Sequence, residues 1–330
     1  MIVDAHNDLL LEVAWREDEG EPNAFAEHWL QKLEAGGVDL QVCPMFVELQ
    51  HLPDGATRVA LKQAAAFHRL LRSNSGRVRP VASRGDLDGA GIGLMLSLEG
   101  VEPLGFDPSL IDAFWRLGVR MVGLTWNRRN AFAEGAAERG GLSSLGVELV
   151  ERLAGLGAII DLAHASEQTF SDVLEHCGDT AVVISHACCR AVCDTPRNPS
   201  DAQLRAVAER GGVLGIMALP LVVDPARPTL ERLIDHVDHA VEVMGIEHVG
   251  LGSDFIRQLF ESGAVRISAR EATLAPPGME IGRGLDELPG PEHYPRLVEA
   301  LQRRGYDGDR LEAILGGNFL RVFREALPVS

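Results

Sequence analysis

Lysine is almost missing from this chain. Lys32 and Lys62 are the only two among 31 basic residues, the rest being arginine. Cysteine is sparse as well: Cys43, Cys177, Cys188, Cys189 and Cys193 make an odd number with no zinc-finger spacing. In a chain of 330 residues that argues against a disulfide framework and fits a reducing compartment. Net positive charge is lacking too. The formal balance of −17 argues against nucleic acid and anionic membrane surfaces, since both reward a basic face. No apolar run approaches the ~20 residues of a membrane helix. No signal peptide precedes the first apolar run, so a cytoplasmic protein is expected. Linkers, repeats and low-complexity tracts are absent, and residues 1–330 are expected to form one domain.

What the chain has is a regular alternation. Short β-rich runs are expected as strands at about 2–8, 39–47, 92–98, 121–126, 158–163, 181–185, 212–218 and 248–253. Helical periodicity follows at about 56–73, 108–117, 144–155, 166–176, 200–210, 229–244 and 292–304. Near-continuous apolar strands suit a parallel sheet buried on both faces. Eight of them alternating with helices predict an α/β fold, a (β/α)8 TIM-type barrel with its active site at the C-terminal ends of the strands. A doubly wound open sheet is the alternative. Long irregular stretches follow the fourth and eighth strands, at 127–143 and about 255–291. They read as lids or as surface decoration. Helices at about 308–327, interrupted by Gly316–Gly317, are expected to pack outside the barrel.

The first apolar run, VDAHNDLL at 3–10, carries Asp4, His6 and Asp8 at alternate positions. On a strand they share one face, where three ionisable groups are costly unless paired or holding a cation. Other runs end the same way: Glu99 in SLEG, His164 in DLAH, His186 in SH and Asp254 in GSD. Six such residues from five strands converge on one mouth. Imidazoles with carboxylates suit Zn²⁺ or a similar divalent ion, and their number exceeds one tetrahedral site, so two metals are expected. Some binuclear barrel hydrolases bridge their metals with a carbamylated lysine. Lys32 and Lys62 fall in or near expected helices, which leaves Glu99 as the bridge.

With these residues in place the sequence resembles the membrane dipeptidase (renal dipeptidase-like) family of zinc metallopeptidases, in the amidohydrolase group. The likeness rests on DAHNDL at 4–9, LEG at 98–100, DLAHAS at 161–166, SHA at 185–187, PRN at 196–198, GLGSDF at 250–255 and GGNFLRV at 316–322. The resemblance implies two Zn²⁺ held by His6, Asp8, Glu99, His164 and His186, with Glu99 and a hydroxide bridging. It also implies Asp254 as catalytic aspartate, Arg197 as the clamp on the substrate carboxylate, small dipeptide substrates including L-D ones, and a homodimer. The chemistry agrees: paired cations activate water, Asp254 can act as general base and then acid, and an arginine holds a carboxylate bidentately. Without the resemblance, Arg197 reads as a surface or helix-start residue.

Two departures stand out. The family pattern LTHN reads LTWN here, so Trp126 replaces a histidine thought to hydrogen-bond the substrate carbonyl. Either the metals cover much of the loss, or Asn127, Arg128 or Asn130 replaces that donor; alternatively Trp126 packs as an aromatic wall that narrows the substrate pocket. After Asp254 the family's SDFDG becomes SDFIRQ, and Arg257 is expected to be exposed. Asp4 is expected to orient a ligand or to make a buried structural bond. His236 and His239 in DHVDHA are expected on a solvated helix face, and Cys188, Cys189 and Cys193 as packing residues. The rival functions are an amidohydrolase acting on another small amide, such as an N-acyl amino acid, and a metal-free binding module.

Overall fold

The computed structural model describes residues 1–265 and 282–329. Nine parallel strands form one sheet: β1 (Ile2–Asp4), β2 (Val38–Phe46), β3 (Val78–Pro80), β4 (Ile92–Glu99), β5 (Val119–Gly123), β6 (Ile159–Asp161), β7 (Val182–Ala187), β8 (Leu214–Ile216) and β9 (Val249–Leu251). Their order is β2-β1-β9-β8-β7-β6-β5-β4-β3, and a second pairing between β2 and β4 closes eight of them into the expected barrel. β3 was not expected, because three residues leave no readable alternation. It pairs with residues 92–94 of β4, below the stretch from Leu96 to Glu99 that pairs with β5.

The expected helices stand at Ala56–Ser73, Ser144–Leu156, Glu167–His176, Asp201–Glu209, Leu230–Met244 and Tyr294–Arg304, with a shorter one at Ile111–Arg116. Four of them begin at Ser143, Ser166, Ser200 and Thr229, whose side-chain oxygens accept a backbone N–H of the first turn. Helices at Leu9–Asp18 and Arg257–Ser262 were not expected. The second breaks up the stretch read as a loop at 255–291, of which residues 266–281 lie outside the described residues.

Two expectations need correction. β1 ends at Asp4, not at residue 8. The Asp4 carboxylate explains the early stop: its Oδ1 accepts the backbone N–H of His6 (3.2 Å) and of Ser253 (3.0 Å), and its Oδ2 accepts the Tyr294 hydroxyl (2.7 Å). Asp4 is thus a structural residue that bends the chain inward, and strand alternation does not place His6 and Asp8. The C-terminal helix Asn318–Ala326, in turn, does not lie outside the barrel. Phe319 and Phe323 pack with the inward residues Val3, Leu40, Val42, Met95, Met121, Ile159, Val183 and Val213, closing the lower end. Gly250 makes room for this plug, since a Cβ there would come within 2.5 Å of the Phe319 ring.

Candidate metal centre

Every expected site residue lies at the upper, carboxyl end of the barrel; the expected metal ligands and Asp254 form two groups that meet at Glu99, and Arg197, Trp126 and Asn127 line the cavity beside them. In the first, Glu99 Oε1 is 2.9 Å from His164 Nε2 and 3.6 Å from His186 Nε2, and the two Nε2 atoms are 2.9 Å apart. His164 Nδ1–H donates to Asn127 Oδ1 (2.8 Å), so its Nε2 presents a lone pair. In the second, His6 Nε2 is 3.5 Å from Glu99 Oε2 and 3.9 Å from Asp8 Oδ1. His6, Asp8 and Asp254 bring three ligand atoms within 4.8 Å of one another, as do Glu99, His164 and His186.

Whether these groups fit metal ions can be judged from their unsatisfied atoms. His6 Nε2, Asp8 Oδ1, Glu99 Oε2 and Asp254 Oδ1 are buried with no hydrogen-bond partner among the described residues. Buried acceptors left this way cost several kcal/mol in total, at about 1–3 kcal/mol each. A divalent cation in each group would satisfy them. The residues fit.

The electrostatics agree. Burial, reinforced by Arg197, pulls the His164 ring down to about 3, and burial also holds His186 well below the ordinary range, so both are neutral imidazoles. Burial opposes charge on His6, but the Glu99 carboxylate overrides it and pushes His6 up to about 10. Burial, with Glu99 adding to it, raises Asp8 well above the carboxylate range. Burial pushes Asp254 up to about 6 against the pull of His6.

The backbone is bent to present these groups. His164 (φ +63°) and Asp254 (φ +53°) lie in the left-handed region, a strain of order 1–3 kcal/mol each that persists only where surroundings impose it. His164 C=O accepts from Ala136 N–H (2.7 Å), and Asp254 N–H donates to His6 C=O (3.1 Å). On β7, Ile184 faces Leu214 while Ala187 faces Ile216, so β7 spends one residue more than β8. This bulge re-aims Ser185 and His186.

Both groups border a cavity of about 230 Å³ with apolar walls that include Phe46, Trp126, Met217, Leu219, Leu259 and Phe260. Trp126 packs against Phe46 with the rings tilted by 58° (centroids 5.3 Å apart) and lies 6.0 Å from the His164 ring. It is a wall residue. Asn127 also lines the cavity while holding His164. Asn130 is committed elsewhere: its amide donates to Leu124 C=O and Glu102, and its oxygen accepts from Phe132 and Ala133 N–H. Arg128 faces Glu138 at 3.4 Å. Arg197 is not a surface residue. It is 9% exposed, donates from Nη2 to His186 C=O (2.8 Å), and its Nε has no partner among the described residues.

His236 is fully buried, not solvated. Its Nδ1 accepts Cys189 N–H (3.0 Å) and its Nε2–H donates to Val223 C=O (2.9 Å), while His239 pairs with Asp201 (2.8 Å). Cys188 and Cys189 are buried, and all five thiols are free. Arg257, expected to be exposed, is half-buried and bonds to Asp286 (2.6 Å). Sequence reasoning missed Asp161 and Ser185, which sit directly behind His186. The signal was an acid inside the apolar run AIIDLA.

A closed parallel barrel with histidine and carboxylate groups at its carboxyl mouth defines a metal-site barrel protein. Residues 1–263 match the family model for membrane dipeptidase (peptidase family M19), and the chain belongs to that family. It is 29% identical over 281 residues to dipeptidase verJ of Clonostachys rogersoniana, covering 83% of this chain and 66% of that protein. It is 29% identical over 343 residues to human dipeptidase 3, covering 99% and 65%. The chain thus spans slightly under two thirds of the length of these relatives. A Rhodobacter sphaeroides metallopeptidase, solved with a phosphinate mimic of the dipeptide L-Ala-D-Ala, superposes with a TM-score of 0.84 at 22% identity, covering 99% of both chains. That superposition supports the barrel.

Proposed function

We propose that the protein is a dipeptidase dependent on two Zn²⁺ ions, cleaving L-L and L-D dipeptides. The observation that carries this reading is Glu99, which turns one oxygen to His164 and His186 and the other to His6. His164, His186 and Glu99 would hold one ion, and His6, Asp8 and Glu99 the other. Bound there, the cations supply Lewis acidity, acidifying water and polarising the scissile carbonyl.

The protein's own residues do the rest. Asp254, buried beside His6, takes a proton from the attacking water and returns it to the leaving amine. Arg197, which lines the cavity, holds the substrate's free carboxylate, which limits cleavage to the bond one residue from the C-terminus. Trp126 carries no acid and acts as an aromatic wall, and Asn127, which lines the cavity while its oxygen holds His164, replaces the missing donor with its amide. Membership in the family supports dipeptide substrates, and the L-Ala-D-Ala mimic bound to the Rhodobacter relative is the ground for including L-D ones. Cysteine usage supports a cytoplasmic location, and the family likeness a homodimer; fractionation and sedimentation test these two points.

The test of the main reading is release of free amino acids by the zinc-loaded protein from L-L and L-D dipeptides and their N-acetylated counterparts. Cleavage confined to free-amine dipeptides is the expected result. Cleavage of the N-acetylated compounds would favour the amidohydrolase instead.

A further inference from the structure

Asp161 lies one level below the metal centre and is 5% exposed. Both its oxygens are engaged. Oδ1 accepts the backbone N–H of Ala163 (3.0 Å) and of Ser185 (2.8 Å), and Oδ2 faces the Ser185 hydroxyl at 2.5 Å. Ser185 Oγ is in turn 2.7 Å from His186 Nδ1. A serine hydroxyl has one proton, and a carboxylate can only accept, so that proton belongs to Asp161. The Ser185 lone pair then takes the His186 Nδ1 proton. His186 Nε2 is left with its lone pair pointing at His164 Nε2 and Glu99 Oε1.

We propose that Asp161 and Ser185 form a tautomer lock: a buried positioning pair that keeps the proton of His186 on Nδ1 and its Nε2 open for metal. The proposal rests on the metal-centre reading above. The local backbone is cut to fit this pair. A Cβ at Gly215 would come within 1.9 Å of the Ser185 carbonyl oxygen, and one at Gly252 within 1.7 Å. No other residue lets β8 and β9 approach the bulge so closely. His6 stacks on His186 with ring centroids 3.6 Å apart, so a turned His186 would also disturb the second group. A merely structural tie between β6 and β7 would need the bonds but not their direction.

Direction is what the test reads. Asp161→Asn keeps shape and keeps an oxygen for the two backbone N–H groups, which forces its amide toward Ser185. The amide donates to Oγ, the Ser185 proton must go to His186 Nδ1, and the ring proton moves to Nε2. The same logic makes an aspartate-to-asparagine change impose the wrong histidine tautomer in catalytic triads. Ser185→Ala removes the relay and leaves His186 free to populate both tautomers.

The experiment is ¹⁵N side-chain NMR of chelator-stripped wild type, Asp161→Asn and Ser185→Ala, with Zn²⁺ affinity measured by chelator competition and folding by thermal melting. The expected wild-type His186 signal is the Nδ1–H form, with Nε2–H in Asp161→Asn and a mixture in Ser185→Ala. Zn²⁺ affinity should fall roughly 10–100-fold in Asp161→Asn, and less in Ser185→Ala. A wild-type-like tautomer in Asp161→Asn overturns the lock. So does unchanged Zn²⁺ affinity in folded Asp161→Asn. Should Asp161→Asn fail to fold, Ser185→Ala decides alone: one fixed Nδ1–H tautomer in that variant refutes the proposal. A wild type that binds no Zn²⁺ would refute the dipeptidase reading, while the tautomer spectra would still judge the lock.

Discussion

Replacing Arg197 by alanine separates carboxylate recognition from peptide-bond chemistry. Its Nη2 is anchored on the His186 carbonyl at 2.8 Å, which fixes the guanidinium plane, and its buried Nε–H waits for a partner. A substrate carboxylate would take that Nε–H and the second proton of Nη2. Hydrogen bonds to charged groups contribute about 1.5–3 kcal/mol each, so two of them total about 3–6 kcal/mol, or roughly 10²–10⁴ in kcat/KM. The assay is a cycle: wild type and Arg197→Ala, each on a dipeptide and on its C-terminal amide. Wild type should favour the free carboxylate by that factor, and Arg197→Ala should lose the preference while keeping its metal content, its melting temperature falling only by the lost bond to the His186 carbonyl, about 1–3 kcal/mol. Arg197→Lys should keep only part of it, since an ammonium lacks the planar fork. If Arg197→Ala slowed both substrates equally, the arginine would be holding the site together and not reading the carboxylate.

Three further outcomes are expected. Adding Zn²⁺ to chelator-stripped protein should raise its melting temperature, because a site at a hundredfold excess over Kd contributes about 2.7 kcal/mol; no rise would contradict the fit of Glu99, His164 and His186 to a cation. Phe319→Ala should cost about 3–5 kcal/mol and lower the melting temperature by roughly 5–10 °C. Zinc content should not change, since the plug lies at the opposite end of the barrel; loss of metal would couple the two ends. Burial, with Glu99's charge adding to it, pushes Glu102 up to about 7. A carboxyl raised in the folded state stabilises at low pH, and that contribution is lost as pH rises through about 7. Glu102→Gln should therefore melt with wild type near pH 4 and progressively above it toward pH 8. A gap independent of pH would place the effect elsewhere.

Much of this site is legible in one dimension because its parts terminate strands. Glu99 is the last residue of β4, and His164, His186 and Asp254 come at or just after strand ends. Apolar runs ending in an acid or an imidazole therefore mark the mouth of this barrel in the sequence itself. The helices were similarly readable, since Ser143, Ser166, Ser200 and Thr229 start periodic segments.

What alternation could not supply was direction. His6 and Asp8 were expected on a strand face, yet they hang from a bend made by Asp4, whose partners Ser253 and Tyr294 are 249 and 290 residues away. Ser185 and His186 both serve the site because a bulge breaks the period of two. The C-terminal helix became a plug because Gly250, 69 positions before Phe319, leaves a gap for its ring. Residue type and order thus determined the barrel, the donor set and the chemistry it suits. Tertiary structure alone decided which atoms of those donors face one another, because hydrogen bonds and packing between distant segments set the orientations that local periodicity leaves open.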